Sequence, residues 1–411
     1  MKLLILWLLG LSIPFAIRTT LLTDTIRDVQ NPFITLYIYG SDLLLIGLLC
    51  FGIYDYWYNR DLQLPDWYVA LIGAGIWSVW VSDYPWMSFL MLIQILTLIY
   101  VCIYAYRENA LDSIWTGFAW GMIGQIGIAW AQFGTQSSVG IPLIVEPVID
   151  ASLAGVAKVD LLGISLVRAT GTFPHPNILA FALILLLWRI ALDFLPENLR
   201  VIWKSVLGLG LLFLAQLDHY FLTSTQGMLL GGLAVLSLIT PAVPSGVQIK
   251  DRFIIIVVLI TLVLTFSKTA LALAIIGFII FLTLRRYPAM FHVEHFEQLS
   301  IQRIIQGVLT VSIVSFWSVL GLAFLPTAEN RLFYIYQTWI QLRNSYGTGV
   351  GLGRFVSQLP ADLPFWRYQP VHSVPLVLLA EIGLGLVIGL VLWLIIRYTK
   401  RYESKNELSD R

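Results

Sequence analysis

The stretch Trp86-Met-Ser-Phe-Leu-Met-Leu-Ile-Gln-Ile-Leu-Thr-Leu-Ile-Tyr-Val-Cys-Ile-Tyr-Ala-Tyr106 contains no charged side chain. As a helix rising roughly 1.5 Å per residue, it is about as long as the ~30 Å hydrocarbon core of a bilayer is thick. Runs of the same character recur on both sides of it. The candidate spans are Leu3–Ile17, Leu36–Tyr54, Trp67–Val81, Trp86–Tyr106, Ser113–Phe133, Asn177–Leu195, Val201–Leu217, Phe221–Thr240, Phe253–Phe266, Thr269–Leu284, Ile304–Leu325 and Ser373–Ile396. This series predicts an all-α, polytopic membrane protein of about twelve transmembrane helices, one integral membrane domain over residues 1–411. The two runs that meet at Ser267-Lys268 also read as one long helix, giving eleven. Aromatic residues gather near span ends, as in Tyr54-Asp-Tyr-Trp-Tyr58 and Tyr84-Pro-Trp86, where rings settle at the headgroup level.

Hydrophobic residues make up 58% of the chain, charged residues 12%, and mean hydropathy is +0.82. A water-solvated globule needs about a quarter of its residues charged, so that class is excluded. A net charge of +1 points to neither an acidic partner nor nucleic acid, and only the placement of charge is informative. Cys50 and Cys102 lie inside apolar runs, where they read as small buried hydrophobes and not as a disulfide or metal site. The run after Met1-Lys2 has no small-residue cleavage site before Arg18 and reads as a retained first span.

With twelve spans and a cytoplasmic N-terminus, Lys2, Arg60, Arg107, Arg200, Lys204, Arg285, Arg303 and Arg397 share one side with the polar tail 400–411. This is the positive-inside pattern of a cytoplasmic (inner) membrane protein. The segment 286–303, with His292 and His295, falls on that side as a solvated stretch. Two long excursions, 134–176 and 326–372, fall on the extracytoplasmic side. Both carry aliphatic and aromatic residues throughout, which disfavours disorder and favours function. Both also carry cations against the topology rule: Lys158, Arg168, Arg331, Arg343, Arg354 and Arg367. An anionic ligand at the outer surface is the expectation that explains their retention.

The first excursion ends Arg168-Ala-Thr-Gly-Thr-Phe-Pro-His-Pro-Asn177. Pro174 and Pro176 stop a helix, Gly171 permits a turn, Asn177 is suited to cap the next helix, and His175 suits a hydrogen bond within the turn. That rigid entrance leaves Arg168 in need of a partner, structural or ligand. The second excursion opens Glu329-Asn-Arg331 and continues as a helix over Leu332–Leu342, on which Arg331, Ile335, Thr338 and Leu342 share a face. It then reaches Gly347-Thr-Gly-Val-Gly-Leu-Gly353. No strand precedes these glycines, so a dinucleotide fingerprint is rejected. They read as a tightly turned loop that lets backbone approach a ligand, or as loop punctuation. Gln369-Pro-Val-His372-Ser-Val-Pro375 closes the loop. His372 is either an interfacial polar residue or, since its imidazole takes a proton near pH 7, a base held beside the bilayer. Glu381 lies about two and a half turns farther on and is expected to be protonated or held by a structural hydrogen bond. Lys268 and Arg189 read as side chains snorkelling to headgroups.

Arg168-Ala-Thr-Gly-Thr-Phe-Pro-His-Pro-Asn177, Ser267-Lys-Thr-Ala270, Arg331 ahead of the glycine loop, and His372 ahead of Leu379-Ala-Glu-Ile-Gly383 together resemble the O-antigen ligase and O-antigen polymerase superfamily of bacterial envelopes. The resemblance is strongest from Arg168 to Gly385. It implies a GT-C-like, inverting, metal-independent glycosyltransferase with no cofactor and an extracytoplasmic active face. Such enzymes pass a glycan from an undecaprenyl-diphosphate carrier to a lipid, glycan or protein hydroxyl. By position, Arg168 and Arg331 match the arginines that hold the donor diphosphate, and His372 matches the histidine that activates the acceptor. Lys268, Gly347, Gly349, His175 and Asn177 are the expected substrate-binding residues. Ser373 stands where many relatives have Asn and Lys268 where Arg is usual, which leaves ligase and polymerase both open. The rival is a polysaccharide or lipid transporter or flippase, which should show repeat halves, broken helices and ionisable groups near the midplane. Asp42 and Glu381 are the residues that leave room for it.

Overall fold

Apolar runs that cannot hydrogen-bond to water satisfy their backbone groups by coiling, and the computed structural model of this chain is mostly helical. It describes residues 2–15, 17–26, 29–59, 66–108, 110–141, 144, 146–153, 156–161, 163–195, 252–286, 328–364, 367–370, 374–386 and 389. In chain order these form α1 (Lys2–Ser12), β1 (Arg18–Ile26), β2 (Val29–Tyr39), α2 (Gly40–Asn59), α3 (Asp66–Trp80), α4 (Pro85–Arg107), α5 (Leu111–Thr135), β3 (Lys158–Leu161), β4 (Ile164–Val167), α6 (Pro176–Asp193), α7 (Arg252–Leu264), α8 (Lys268–Arg286), α9 (Ala328–Asn344) and α10 (Val374–Ile382).

Two short two-stranded sheets, β1 with β2 and β3 with β4, accompany the helices, and the mostly helical architecture is compatible with the all-α expectation. The first pair lies in the connector between the expected spans Leu3–Ile17 and Leu36–Tyr54 and runs into the start of the latter, and the second lies in the excursion 134–176. Thr19, Thr20, Thr23, Thr25 and Thr35 supply β-branched side chains to the first pair, which suit a pleated surface better than a helix. The spans expected over Val201–Leu217, Phe221–Thr240 and Ile304–Leu325, the histidine segment 287–303 and the tail lie outside the described residues. Among the described residues one helix, Pro85–Arg107, is long and apolar enough to cross a membrane. Lys2–Ser12, Gly40–Tyr54, Tyr68–Trp80, Pro176–Leu192, Ile254–Leu264 and Ala270–Thr283 are apolar but shorter.

The chain divides into two compact units. The first comprises Met1–Thr19, Ile38–Gly52 and Leu98–Gly321. In it α1 lies along α5 at a distance set by glycine. A Cβ on Gly117 would strike the Trp7 carbonyl, one on Gly10 the Ile114 carbonyl, and one on Gly121 would stand 2.6 Å from the Leu11 oxygen. Gly117 and Gly121 are one turn apart, the small-residue spacing that lets helices meet backbone to backbone where no hydrophobic effect drives them together. α7 packs on α5 and α6, and α8 on α6. The Trp130 indole donates to Thr261 Oγ1 at 2.7 Å, pinning α5 to α7. α6 is buried all round from Ile178 to Leu186, as its unbroken apolar sequence requires. The chain does not continue as one helix through Ser267: Phe266 adopts φ +48°, which ends α7 and sets the start of α8. Asp42 caps α2 by accepting from Tyr39 N–H at 2.9 Å, so its carboxylate has a structural task. Arg189, expected to snorkel, instead pairs with Asp112 at 3.3 Å. Cys50, expected to be buried, is exposed on α2.

The second unit comprises Thr20–Tyr37, Ile53–Thr97 and Leu322–Arg411. Its core joins Ile34, Tyr334, Phe355, Val356, Leu359, Leu363, Tyr368, Val377 and Ala380. Polar side chains tie the irregular backbone around that core, which has no ladder of its own to satisfy it. Asn31 donates to the Tyr368 carbonyl, Tyr334 to that of Arg367 and Gln341 to that of Phe355, each at 2.9 Å. The excursion after α9 is therefore a folded segment, as its composition suggested.

Candidate functional site

In the first unit the site begins with the β3–β4 hairpin, whose register pairs Lys158 with Val167 and Leu161 with Ile164. The hairpin delivers Arg168 directly after β4. Ala169 N–H donates to the Leu264 carbonyl, bringing this strand end to the C-terminus of α7. There the Arg168 guanidinium donates through Nε to the Thr265 carbonyl at 2.6 Å and through Nη2 to Asn177 Oδ1 at 2.9 Å. A carbonyl past a helix C-terminus lacks an intrahelical donor and carries partial negative charge, so a cation suits it. Both of these acceptors are neutral. Lys268, three residues beyond Thr265, opens α8 and is exposed. The Arg168–Asn177 segment and the Ser267–Ala270 segment thus adjoin at Thr265.

His175, not Asn177, caps α6. Its Nδ1 accepts from Asn177 N–H at 3.2 Å, and Pro176 opens the helix. Proline is tolerated there because the first helical N–H has no partner to lose. The Asn177 side chain, expected to cap the helix, accepts from Arg168 instead. Burial, reinforced by the positive charge of Arg168, pushes the His175 imidazole down to about 4. It is neutral at pH 7, with its proton on Nε2 because Nδ1 is the acceptor. Arg168, His175 and Asn177 therefore form one constellation.

Between Arg168 and His175 the backbone turns through Gly171 at φ +61°. Two residues not singled out from sequence hold that turn, Gln125 and Gln132 of α5, both fully buried. They stand seven positions apart in an otherwise apolar run, and a pair of costly amides on one helix face was the available signal.

In the second unit Arg331 occupies the first turn of α9, on the face where Thr338 and Leu342 are buried; its side chain is outside the described residues. Gly347, Gly349, Gly351 and Gly353 all have positive φ, from +71° to +99°. The loop they form packs backbone on backbone against the end of α10. Val350 and Gly351 N–H donate to the Ala380 and Glu381 carbonyls at 2.9 and 3.0 Å, and Leu384 N–H donates to Gly347 at 2.9 Å. A Cβ on Gly349 would stand 2.6 Å from the Glu381 oxygen, and one on Gly383 would strike the Thr348 carbonyl. The last span, expected over Ser373–Ile396, is interrupted at Gly383, which takes φ +86°: α10 ends at Ile382 and helix resumes over 384–386. The carbonyls freed at that break are those the glycine loop satisfies. Glu381 is buried and accepts from Phe355 N–H at 3.4 Å, the structural hydrogen bond its position called for. His372 lies outside the described residues.

One of the cations expected to hold an anionic ligand has a different role. Arg354 is buried, with its side chain 5% exposed, and forms a fork with Asp83 (Nε to Oδ1 2.6 Å, Nη2 to Oδ2 3.0 Å), while Nη1 reaches Asp24 at 3.0 Å. Its guanidinium also stands over the Tyr84 ring at 5.5 Å. Two carboxylates balance its charge, so no anionic ligand is needed to retain it. Comparison of the chain with family models, with curated proteins and with solved structures found no match.

Proposed function

We propose that this chain is a polytopic membrane glycosyltransferase, GT-C-like and of about twelve spans. It moves a glycan from an undecaprenyl-diphosphate carrier to an acceptor hydroxyl on the outer face of the cytoplasmic membrane. The observation that carries the reading is the constellation at the end of the first excursion: the Arg168 guanidinium is oriented by the Thr265 carbonyl and Asn177 Oδ1, His175 caps the next helix in the same turn, and exposed Lys268 stands three residues beyond Thr265. A guanidinium fixed in this way, with a lysine in the adjoining segment, suits an anionic diphosphate. Arg168 and Arg331 bind the carrier diphosphate, whose charge grows as the glycosidic bond breaks, and a guanidinium fits phosphate oxygens bidentately. His372 takes the proton of the acceptor hydroxyl as that oxygen attacks the anomeric carbon; the carrier diphosphate leaves with the bonding electrons. Lys268 adds charge for the donor, and His175 stands beside Arg168 as a neutral polar group. The turned glycines 347 and 349 shape the loop on the acceptor side.

The transporter reading draws on the break of α10 at Gly383 beside buried Glu381, since broken helices mark transport sites. Against it, the carbonyls at that break already accept from Val350 and Gly351. The two readings part in cells carrying Arg331→Ala. A failed transferase leaves carrier-linked glycan on the outer leaflet, and a failed flippase leaves it on the inner one. Leaflet-resolved labelling of that lipid is expected to find it outside; accumulation inside rejects the transferase.

A further inference from the structure

We infer that Gln125 and Gln132 are positioning residues that clamp the Thr170–Thr172 turn and thereby fix Arg168 and His175; their role in catalysis rests on the transferase reading above. Gln132 Oε1 accepts from Gly171 N–H at 2.8 Å and Thr170 N–H at 3.2 Å, while its Nε2 donates to the Gly171 carbonyl at 2.8 Å. Gln125 holds the next residue through backbone and side chain: Oε1 accepts from Thr172 N–H and Nε2 donates to Thr172 Oγ1, both at 2.8 Å. Thr172 Oγ1 in turn donates to the Pro14 carbonyl at 3.0 Å.

A primary amide carries the donor and acceptor of a peptide group, so Gln132 pairs with the backbone of the turn as a neighbouring strand would, while Gln125 holds the Thr172 N–H and hydroxyl. The turn needs this. It is irregular, Thr170 to Phe173 are buried, and buried backbone outside a ladder finds its partners among side chains. Spacing of seven residues puts both amides on the same face of α5. Gln132 also donates to Glu146 Oε1 at 2.8 Å, and that carboxylate is held by Val139 and Gly140 N–H at 2.7 and 2.8 Å. The clamp is thus anchored from behind by the loop that follows α5. Its two ends are the two functional groups: Arg168 stands two residues before Thr170 and His175 three after Thr172.

The test uses the full chain in phosphatidylethanolamine–phosphatidylglycerol nanodiscs, with Gln132→Met and Gln125→Met, which keep volume and remove the amides. Amide hydrogen exchange over 168–175 is expected to be slow in the parent and faster in each variant. With undecaprenyl-diphosphate-linked glycan as donor, kcat/KM should fall about 10- to 100-fold through misplaced groups. Gln132→Met should add little in an Arg168→Ala background, since the two act on one contact set. Unchanged exchange in both variants overturns the clamp. Faster exchange with unchanged kcat/KM, or full additivity with Arg168→Ala, shows a purely structural turn and overturns the positioning role. A parent protein that transfers no glycan counts against the transferase and with it the catalytic role, while the exchange arm still decides the clamp.

Discussion

Arg168→Ala is expected to lower the rate of glycan transfer by about 10²- to 10³-fold, the usual consequence of removing one preorganised donor from a developing anion. The size follows from how the side chain is held. Thr265 and Asn177 fix the guanidinium plane, so little ordering remains to be done when the diphosphate arrives. Arg168→Lys keeps the charge but cannot donate to both acceptors while presenting a planar fork, and it is expected to recover only part of the loss. Initial rates of carrier-diphosphate release, measured beside the thermal unfolding of each variant, separate this from misfolding. Equal activity of Arg168→Lys, Arg168→Ala and the parent protein would remove the residue from donor binding and leave it as a cap for α7.

The second large effect is on stability, and its asymmetry is the informative part. Asp83→Ala is expected to cost about 3 kcal/mol, because it strips the fork from a buried cation. Arg354→Met is expected to cost clearly less. The guanidinium is 5% exposed, whereas the Asp24 and Asp83 side chains are 35% and 46% exposed, so the carboxylates rehydrate when the arginine is gone and the arginine cannot when they are gone. Thermal unfolding of the two variants in nanodiscs reads this directly. A larger loss for Arg354→Met than for Asp83→Ala contradicts the account of that cluster.

Apolar periodicity made most helices legible, because a run such as Trp86–Tyr106 leaves the backbone only one way to pair its own groups. The exceptions have local physical causes. The last span breaks because Gly383 accepts a positive φ and the glycine loop supplies donors to the carbonyls so freed, a pairing between segments some thirty residues apart that no local pattern shows. The hairpin of β1 and β2 hid in a threonine-rich stretch read as a connector. In the site, the Pro174, Pro176 and Gly171 turn was legible as a rigid helix entrance, yet the roles of His175 and Asn177 were exchanged. An imidazole before proline accepts from the Asn177 N–H and starts the helix at Pro176, earlier than an Asn177 cap would, and the arginine then takes the asparagine side chain. Arg354 was misread for a related reason. Its charge looked unexplained in sequence because Asp83 and Asp24 lie far from it along the chain.

The central claim is chemical: a glycan leaves its carrier diphosphate for a hydroxyl, with His372 taking the proton. The most direct measurement incubates purified protein in nanodiscs with undecaprenyl-diphosphate-linked glycan and a panel of lipid, glycan and peptide acceptors, following released undecaprenyl diphosphate and the glycosylated product by mass spectrometry. The account predicts both products in equal amounts from the parent protein and neither above background from His372→Ala. Release from neither protein with any acceptor, or equal release from both, contradicts it.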